Sequence, residues 1–198
     1  MTFGDFFLLK EANRNTALIS IDIQPSYITA CKYIMHDYID FLNDFRGPII
    51  IFWNGEDLGM ESKHEMVDFL LEWGISEEVL DQIIWREKVY AFFRPWMDSG
   101  MDRRNLIKAI RYMVSLNKND SRDISEDQWK TLFGEEWPDV ESIIYGDSIN
   151  IPDISLADLK TYSGCYLCGG GTDECLSEFR FLLEAFNIRY KIIKSLTY

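Results

Sequence analysis

The sequence predicts an α/β protein, a doubly wound three-layer sandwich whose mostly parallel sheet runs in the order 3-2-1-4-5. Three observations predict it. Five short apolar runs recur along the 198 residues, helix-length stretches with apolar residues three or four apart lie between them, and the two kinds alternate. Buried strands alternating with amphipathic helices imply a parallel sheet covered on both faces. With 47% hydrophobic and 15% aromatic residues, the chain can bury one good core, so a single domain over residues 1–198 is expected.

The elements follow in order. Residues 16–22 (TALISID) form an apolar run closed by an acid, with Gln24-Pro25 after it. Residues 27–45 carry Ile28, Cys31, Ile34, Met35, Tyr38, Ile39, Leu42 and Phe45, a helical spacing. A second strand is expected at 48–53 (PIIIFW) and a helix at 62–73. A third strand at 82–86 (QIIWR) leads into Glu87-Lys88. Residues 163–169 and 189–193 supply the fourth and fifth strands, with a helix across 172–186 between them. Residues 100–159 depart from the pattern and read as a helical insertion covering one edge of the sheet or the mouth of the site. Within it, helices are expected at 102–116 and 125–133, a polar link at 117–123, and a short strand at 142–145.

A formal net charge of −13 disfavours nucleic acid and anionic membrane surfaces as partners. Residues 1–10 carry Asp5 and lack a basic leader, and the longest apolar runs are strand-sized, so no targeting or spanning segment is expected. Four cysteines without an export signal point to free thiols in a reducing, cytoplasmic compartment. The expected partner is a small-molecule substrate, with homo-oligomerisation left open.

Chemistry concentrates where the strands end. In an open parallel sheet, ligands bind beyond the carboxyl ends of the strands, where the strand order reverses. For the order 3-2-1-4-5 that point lies between the first and fourth strands. Asp22 closes the first strand, and Cys175 follows the fourth after the turn Gly169-Gly170-Gly171. Lys88 follows the third strand, about 10 Å from Asp22 at two strand spacings, a gap its long side chain and a short loop can cover. The two histidines, His36 and His64, lie within helices, so a carboxylate rather than an imidazole must take the thiol proton. A thiol at a helix N-terminus beside a lysine is expected to be a reactive thiolate of depressed pKa. Backbone N–H groups of Gly171 and Cys175 would form the oxyanion hole. Gln24, Tyr27, Trp53, Tyr90 and Phe92, with Phe93 and Trp96, are candidates for the substrate-binding wall.

These segments resemble the isochorismatase-like cysteine hydrolases, a superfamily that includes nicotinamidases and carbamoyl-amide hydrolases. The resemblance lies in Ala17-Leu18-Ile19-Ser20-Ile21-Asp22-Ile23-Gln24, in Lys88-Val89-Tyr90-Ala91-Phe92-Phe93, and in Cys168-Gly169-Gly170-Gly171-Thr172-Asp173-Glu174-Cys175-Leu176. It covers roughly residues 14–99 and 160–194. It implies Cys175 as nucleophile, Asp22 as general base and acid, Lys88 as their electrostatic partner, and a cis peptide at Gly170-Gly171. Members that hydrolyse the vinyl ether of isochorismate generally lack the cysteine, so its presence here implies cleavage of an amide-type C–N bond through a thioester. Nicotinamidases carry a histidine-rich metal site after the second strand. Here that stretch is Asn54-Gly55-Glu56-Asp57-Leu58-Gly59, with His64 beyond it, so no metal and no cofactor are expected.

Other readings stand beside this one. The same fold could serve as a catalytically idle binding or regulatory scaffold. The glycine turn could cradle a phosphate, although Glu174 stands where a third glycine belongs. Cys165-x-x-Cys168 suggests zinc, but on a strand two such residues face opposite sides, which favours core packing. His64 with Glu56, Asp57 and Glu61 could bind a cation or form a solvated acidic loop.

Overall fold

The computed structural model describes residues 15–88, 92–152 and 156–198, and these form two compact units. The first is built from residues 15–88 and 156–198, the second from residues 92–152.

The sheet belongs to the first unit. Strands β1 (Thr16–Ile21), β2 (Ile49–Asn54), β3 (Ile83–Lys88), β4 (Gly164–Gly169) and β5 (Tyr190–Thr197) run in the order β3-β2-β1-β4-β5. Every neighbouring pair is parallel. All six residues of β1 and all six of β2 are buried, as strands covered on both faces require. The edge strands β3 and β5 are only partly buried and carry Arg86, Glu87, Lys191 and Lys194, charges that discourage pairing with another chain.

The longer helices are α1 (Met35–Asp44), α2 (Lys63–Glu72), α3 (Arg103–Ser115), α4 (Glu126–Phe133), α5 (Trp137–Gly146) and α6 (Cys175–Ala185). Leu18, Ile49, Ile51, Trp53, Tyr166 and Cys168 share one buried cluster with Met35, Tyr38 and Leu42 of α1 and Met66, Phe69 and Leu70 of α2. The other sheet face meets α6, where the Phe52 and Phe179 rings lie 4.7 Å apart. Helices α2, α3 and α4 begin one residue after the expected starts, because Ser62, Asp102 and Ser125 are caps. Each side-chain oxygen accepts a backbone N–H of the first turn.

Two expected elements are corrected. The single helix across 27–45 is broken. A short turn of helix, Ile28–Cys31, gives way at Lys32, and the Ile34 N–H bonds to the Cys31 carbonyl at 2.9 Å, a tight three-residue step, before α1 begins. Cys31, Ile34, Met35 and Tyr38 all stay buried through the break, so their spacing does not reveal it. The strand expected at 142–145 is part of α5. Trp137, Val140 and Ile144 are buried at helical intervals, and Pro138 sits in the first turn, where its missing N–H costs nothing.

In the second unit, α3 buries Leu106, Ile110 and Met113, and the Trp96 ring meets Trp129 of α4 edge-on at 5.8 Å. The Trp96 indole N–H donates to the Asp147 carbonyl at 2.7 Å. Among the described residues no helix is long and apolar enough to cross a membrane.

The end of β4 needs glycine. Gly169 has φ +105°, and a Cβ there would stand 1.9 Å from the Ile21 carbonyl oxygen of the paired strand. Because the obstacle is backbone, Gly169→Ala is expected to lower stability by at least about 2 kcal/mol. Denaturant unfolding checks it, and a midpoint equal to wild type would contradict it.

Candidate active site

Three strands of the first unit end on one rim and deliver the site. Asp22 follows β1, Asn54 ends β2 and Lys88 ends β3, with Asn54 directly beside Lys88 in the parallel register. Cys175 opens α6 after the glycine turn that leaves β4. The Lys88 ammonium lies 3.2 Å from Asp22 Oδ1, with the lysine side chain fully buried and that of Asp22 5% exposed. It also lies 3.6 Å from Cys175 Sγ. The Asp22 carboxylate and the Cys175 thiol are hydrogen-bonded to each other. Asp22, Lys88 and Cys175, remote in the chain, therefore meet at the reversal of strand order.

Asp22 turns the chain sharply to do this. Its N–H still donates to the Phe52 carbonyl at 2.9 Å, as a strand residue would. Its φ is then +59°, a left-handed conformation that is costly for most side chains and more accessible to aspartate and asparagine.

The electrostatics differ from the sequence expectation. Burial raises the Asp22 carboxyl above its ordinary range, more than Lys88 lowers it. The Cys175 thiol is pushed up to about 12, first by burial and then by the Asp22 charge, against the pull of Lys88. The thiolate of depressed pKa is thus corrected to a neutral thiol donating to a carboxylate. The pull of Lys88 does not outweigh desolvation and the adjacent anion. The other thiols are free and buried, and burial raises Cys31 and Cys165 to about 11 and Cys168 to about 12.

Two further polar residues belong to the site: Asn54, which was not anticipated, and Glu61, which was expected only as a cation ligand or part of a solvated loop. Asn54 is fully buried, accepts from the Lys88 ammonium through Oδ1 at 3.0 Å, and donates to Asp22 Oδ1 at 3.4 Å and the Tyr27 hydroxyl at 3.0 Å. A signal existed for it: β2 lies between β1 and β3, so the polar residue that closes it must lie between Asp22 and Lys88. Glu61, at 8% exposure, accepts from the Ser26 N–H at 2.6 Å and from the Gln24 amide at 2.5 Å.

That network reassigns most of the expected substrate wall. Gln24 is completely buried. Its amide accepts the Asn54 N–H at 2.9 Å and donates to the Asn54 carbonyl at 3.2 Å, so it acts as an internal brace. Trp53 is likewise core rather than wall, packed edge-on against Trp85 and donating its indole N–H to the Glu61 carbonyl at 2.9 Å. Phe92 is buried in the second unit, where its carbonyl accepts the Asn150 N–H, and Phe93 and Trp96 are also buried. Tyr90 lies outside the described residues. Tyr27 keeps partial exposure, with its hydroxyl beside Asn54.

The glycine turn is also corrected in one respect. No peptide among the described residues is cis, so the Gly170-Gly171 bond is trans. The reversal is made instead by positive φ at Gly169 and Gly171, while the Gly170 N–H still donates to the Ile21 carbonyl at 2.8 Å. Gly171 sits against the helix start: a Cβ on it would stand 3.1 Å from the Cys175 nitrogen, so any side chain there would cover that N–H. The Gly171 carbonyl accepts the N–H groups of Glu174 and Leu176 at 2.7 and 3.1 Å, which holds the turn closed.

His64 pairs with Asp68 at 3.5 Å, and Glu61 is engaged by Ser26 and Gln24, so the acidic loop is not arranged as a cation site. Among the described residues no three His, Cys, Asp or Glu side chains are grouped to hold a metal ion. No protein-family model, curated protein or solved structure matches the chain significantly.

Proposed function

We propose that this protein is an isochorismatase-like cysteine hydrolase that cleaves an amide-type C–N bond of a small molecule through a thioester on Cys175. The observation that carries the reading is the contact of the Cys175 thiol with both the Asp22 carboxylate and the Lys88 ammonium. A thiol that rests neutral must lose its proton as it attacks, and Asp22 already accepts its hydrogen bond. Sγ bonds to the carbonyl carbon while its proton passes to Asp22. The carbonyl oxygen becomes an oxyanion facing the N–H groups of Gly171 and Cys175. The C–N bond then breaks as Asp22 returns the proton to the leaving nitrogen, releasing ammonia or an amine. Water attacks the thioester, gives its proton to Asp22, and the carboxylic acid leaves as the thiol is restored. Lys88 keeps Asp22 competent to act as a base within a buried site.

The raised thiol pKa favours a second reading, an idle scaffold that binds without turnover. One experiment separates them. Wild-type protein is incubated with a panel of small amides, quenched in acid and weighed intact, with ammonia followed in parallel. The hydrolase gives an acyl adduct on Cys175 and ammonia that Cys175→Ala abolishes. Binding of an amide without adduct or ammonia supports the scaffold.

A further inference from the structure

We propose that Tyr198 positions the base: its hydroxyl, bonded to the Asp22 main-chain carbonyl, holds that residue in the left-handed conformation that presents its carboxylate to Cys175 and Lys88. The proposal rests on the hydrolase reading above and adds to it a residue from beyond the last strand.

Four observations place Tyr198 there. Its hydroxyl donates to the Asp22 carbonyl at 2.5 Å, across 176 residues of chain. Asp22 is one of only three non-glycine residues with positive φ among those described, so its backbone needs support from outside itself. Strand β5 shifts register against β4 between Leu167 and Gly169, so that Gly169 pairs with Thr197 and the next residue lands on the rim. Irregularities of this kind re-aim a side chain beside a site. The Tyr198 backbone is then fixed: its N–H donates to the Gly169 carbonyl at 3.3 Å, and its oxygen accepts the Thr172 N–H at 3.3 Å and hydroxyl at 2.8 Å.

The ring occupies the space that Gly170 leaves. A Cβ on Gly170 would stand 1.9 Å from Tyr198 Cζ and 2.1 Å from its hydroxyl oxygen. Gly170 has no positive φ, so its lack of a side chain answers to the tyrosine rather than to backbone strain. Burial first, and then the neighbouring Asp22, Cys31, Tyr27 and Cys175, raise the phenol pKa well above the ordinary value, so it remains a donor. The charged and titratable groups that act on the Asp22 carboxylate are Lys88, Cys175 and Glu174, with the Tyr198 phenol nearby and the Asn54 amide donating to Oδ1 at 3.4 Å.

The test follows Cys175 alkylation by iodoacetamide from pH 7 to 11, read by peptide mass, in wild type, Tyr198→Phe, Gly170→Ala and Asp22→Asn. Loosening Asp22 weakens its hold on the thiol proton. Tyr198→Phe is therefore expected to alkylate faster at pH 8 by about threefold or more, half a pKa unit toward the Asp22→Asn profile. Gly170→Ala, which displaces the ring but keeps the hydroxyl, is expected to shift the profile the same way, and to add nothing in a Tyr198→Ala background. A purely structural role would lower the melting temperature and leave the profile on that of wild type. Tyr198→Phe and Gly170→Ala both matching wild type while Asp22→Asn shifts would overturn the positioning role alone. If Asp22→Asn also leaves the profile unmoved, the hydrolase geometry falls and the positioning role with it.

Discussion

Replacing Asp22 by asparagine is expected to make Cys175 more reactive toward iodoacetamide while impairing the amide hydrolysis proposed above. At pH 8 the alkylation rate should rise at least about tenfold, one unit of thiol pKa. Amide turnover should fall by about 10²- to 10⁴-fold, the range for loss of a general base. The two readouts part because they ask different things of the site. Burial and the Asp22 anion hold the thiol up to about 12, against Lys88. Without the carboxylate, the buried ammonium 3.6 Å from the sulfur pairs with a thiolate instead. Alkylation needs only that thiolate. Turnover also needs a group to collect the thiol proton and return it to the leaving nitrogen, and asparagine cannot do this. Asparagine tolerates the left-handed conformation, so the backbone at residue 22 is preserved. A variant that alkylates more slowly than wild type would contradict the electrostatic account.

Lys88→Met is expected to be among the most damaging single changes to stability in the first unit. The lysine side chain is fully buried, and its ammonium serves Asp22, Asn54 and Cys175 together. Methionine fills similar space but leaves a buried carboxylate and the Asn54 oxygen without that donor. Breaking a buried ion pair from one side costs about 3–5 kcal/mol. For a protein of this size that is roughly 10 °C in melting temperature. The loss should depend on pH in a definite direction. Asp22 already titrates above its ordinary value, and without Lys88 it titrates higher still. A carboxyl raised in the folded state contributes stability below its unfolded pKa and loses it as pH rises through the folded pKa. Lys88→Met should therefore lie closer to wild type at pH 4.5 than at pH 7.5 in denaturant unfolding. Adding Asp22→Asn should restore much of the stability at pH 7.5. An equal deficit at both pH values, with no rescue, would contradict the assignment.

The sheet was legible because burial on both faces leaves runs such as TALISI and IIIFWN mostly apolar choices, and the polar residues within them, Thr16, Ser20 and Asn54, are each hydrogen-bonded. Strand order then followed from the rule for doubly wound sheets, and it brought Asp22, Lys88 and Cys175 to one rim. What the sequence concealed was contact-dependent. Gln24 and Trp53 look like pocket residues because they are polar or aromatic and close to Asp22, yet the Glu61 segment folds over them and engages both. Tyr198 looks like an ordinary residue beyond a strand until the β4–β5 register shift swings it onto Gly170. The sign of the thiol shift was misread for a related reason. A nearby lysine and helix start are visible in sequence, whereas the depth of burial and the distance to Asp22 are not.

The pairing of β1 between β2 and β4 also governs what happens on the ribosome. Thr16 pairs with Gly164, and Ile21 with Gly169. At about 5–20 residues per second, β4 emerges roughly 7–30 s after β1. For that interval a nascent β1–β2 pair presents TALISI along an open side, with no lysine or proline to repel another chain. Among the strand pairings of this sheet, vectorial synthesis thus leaves β1 waiting longest for a neighbour, with β4 the last to reach it.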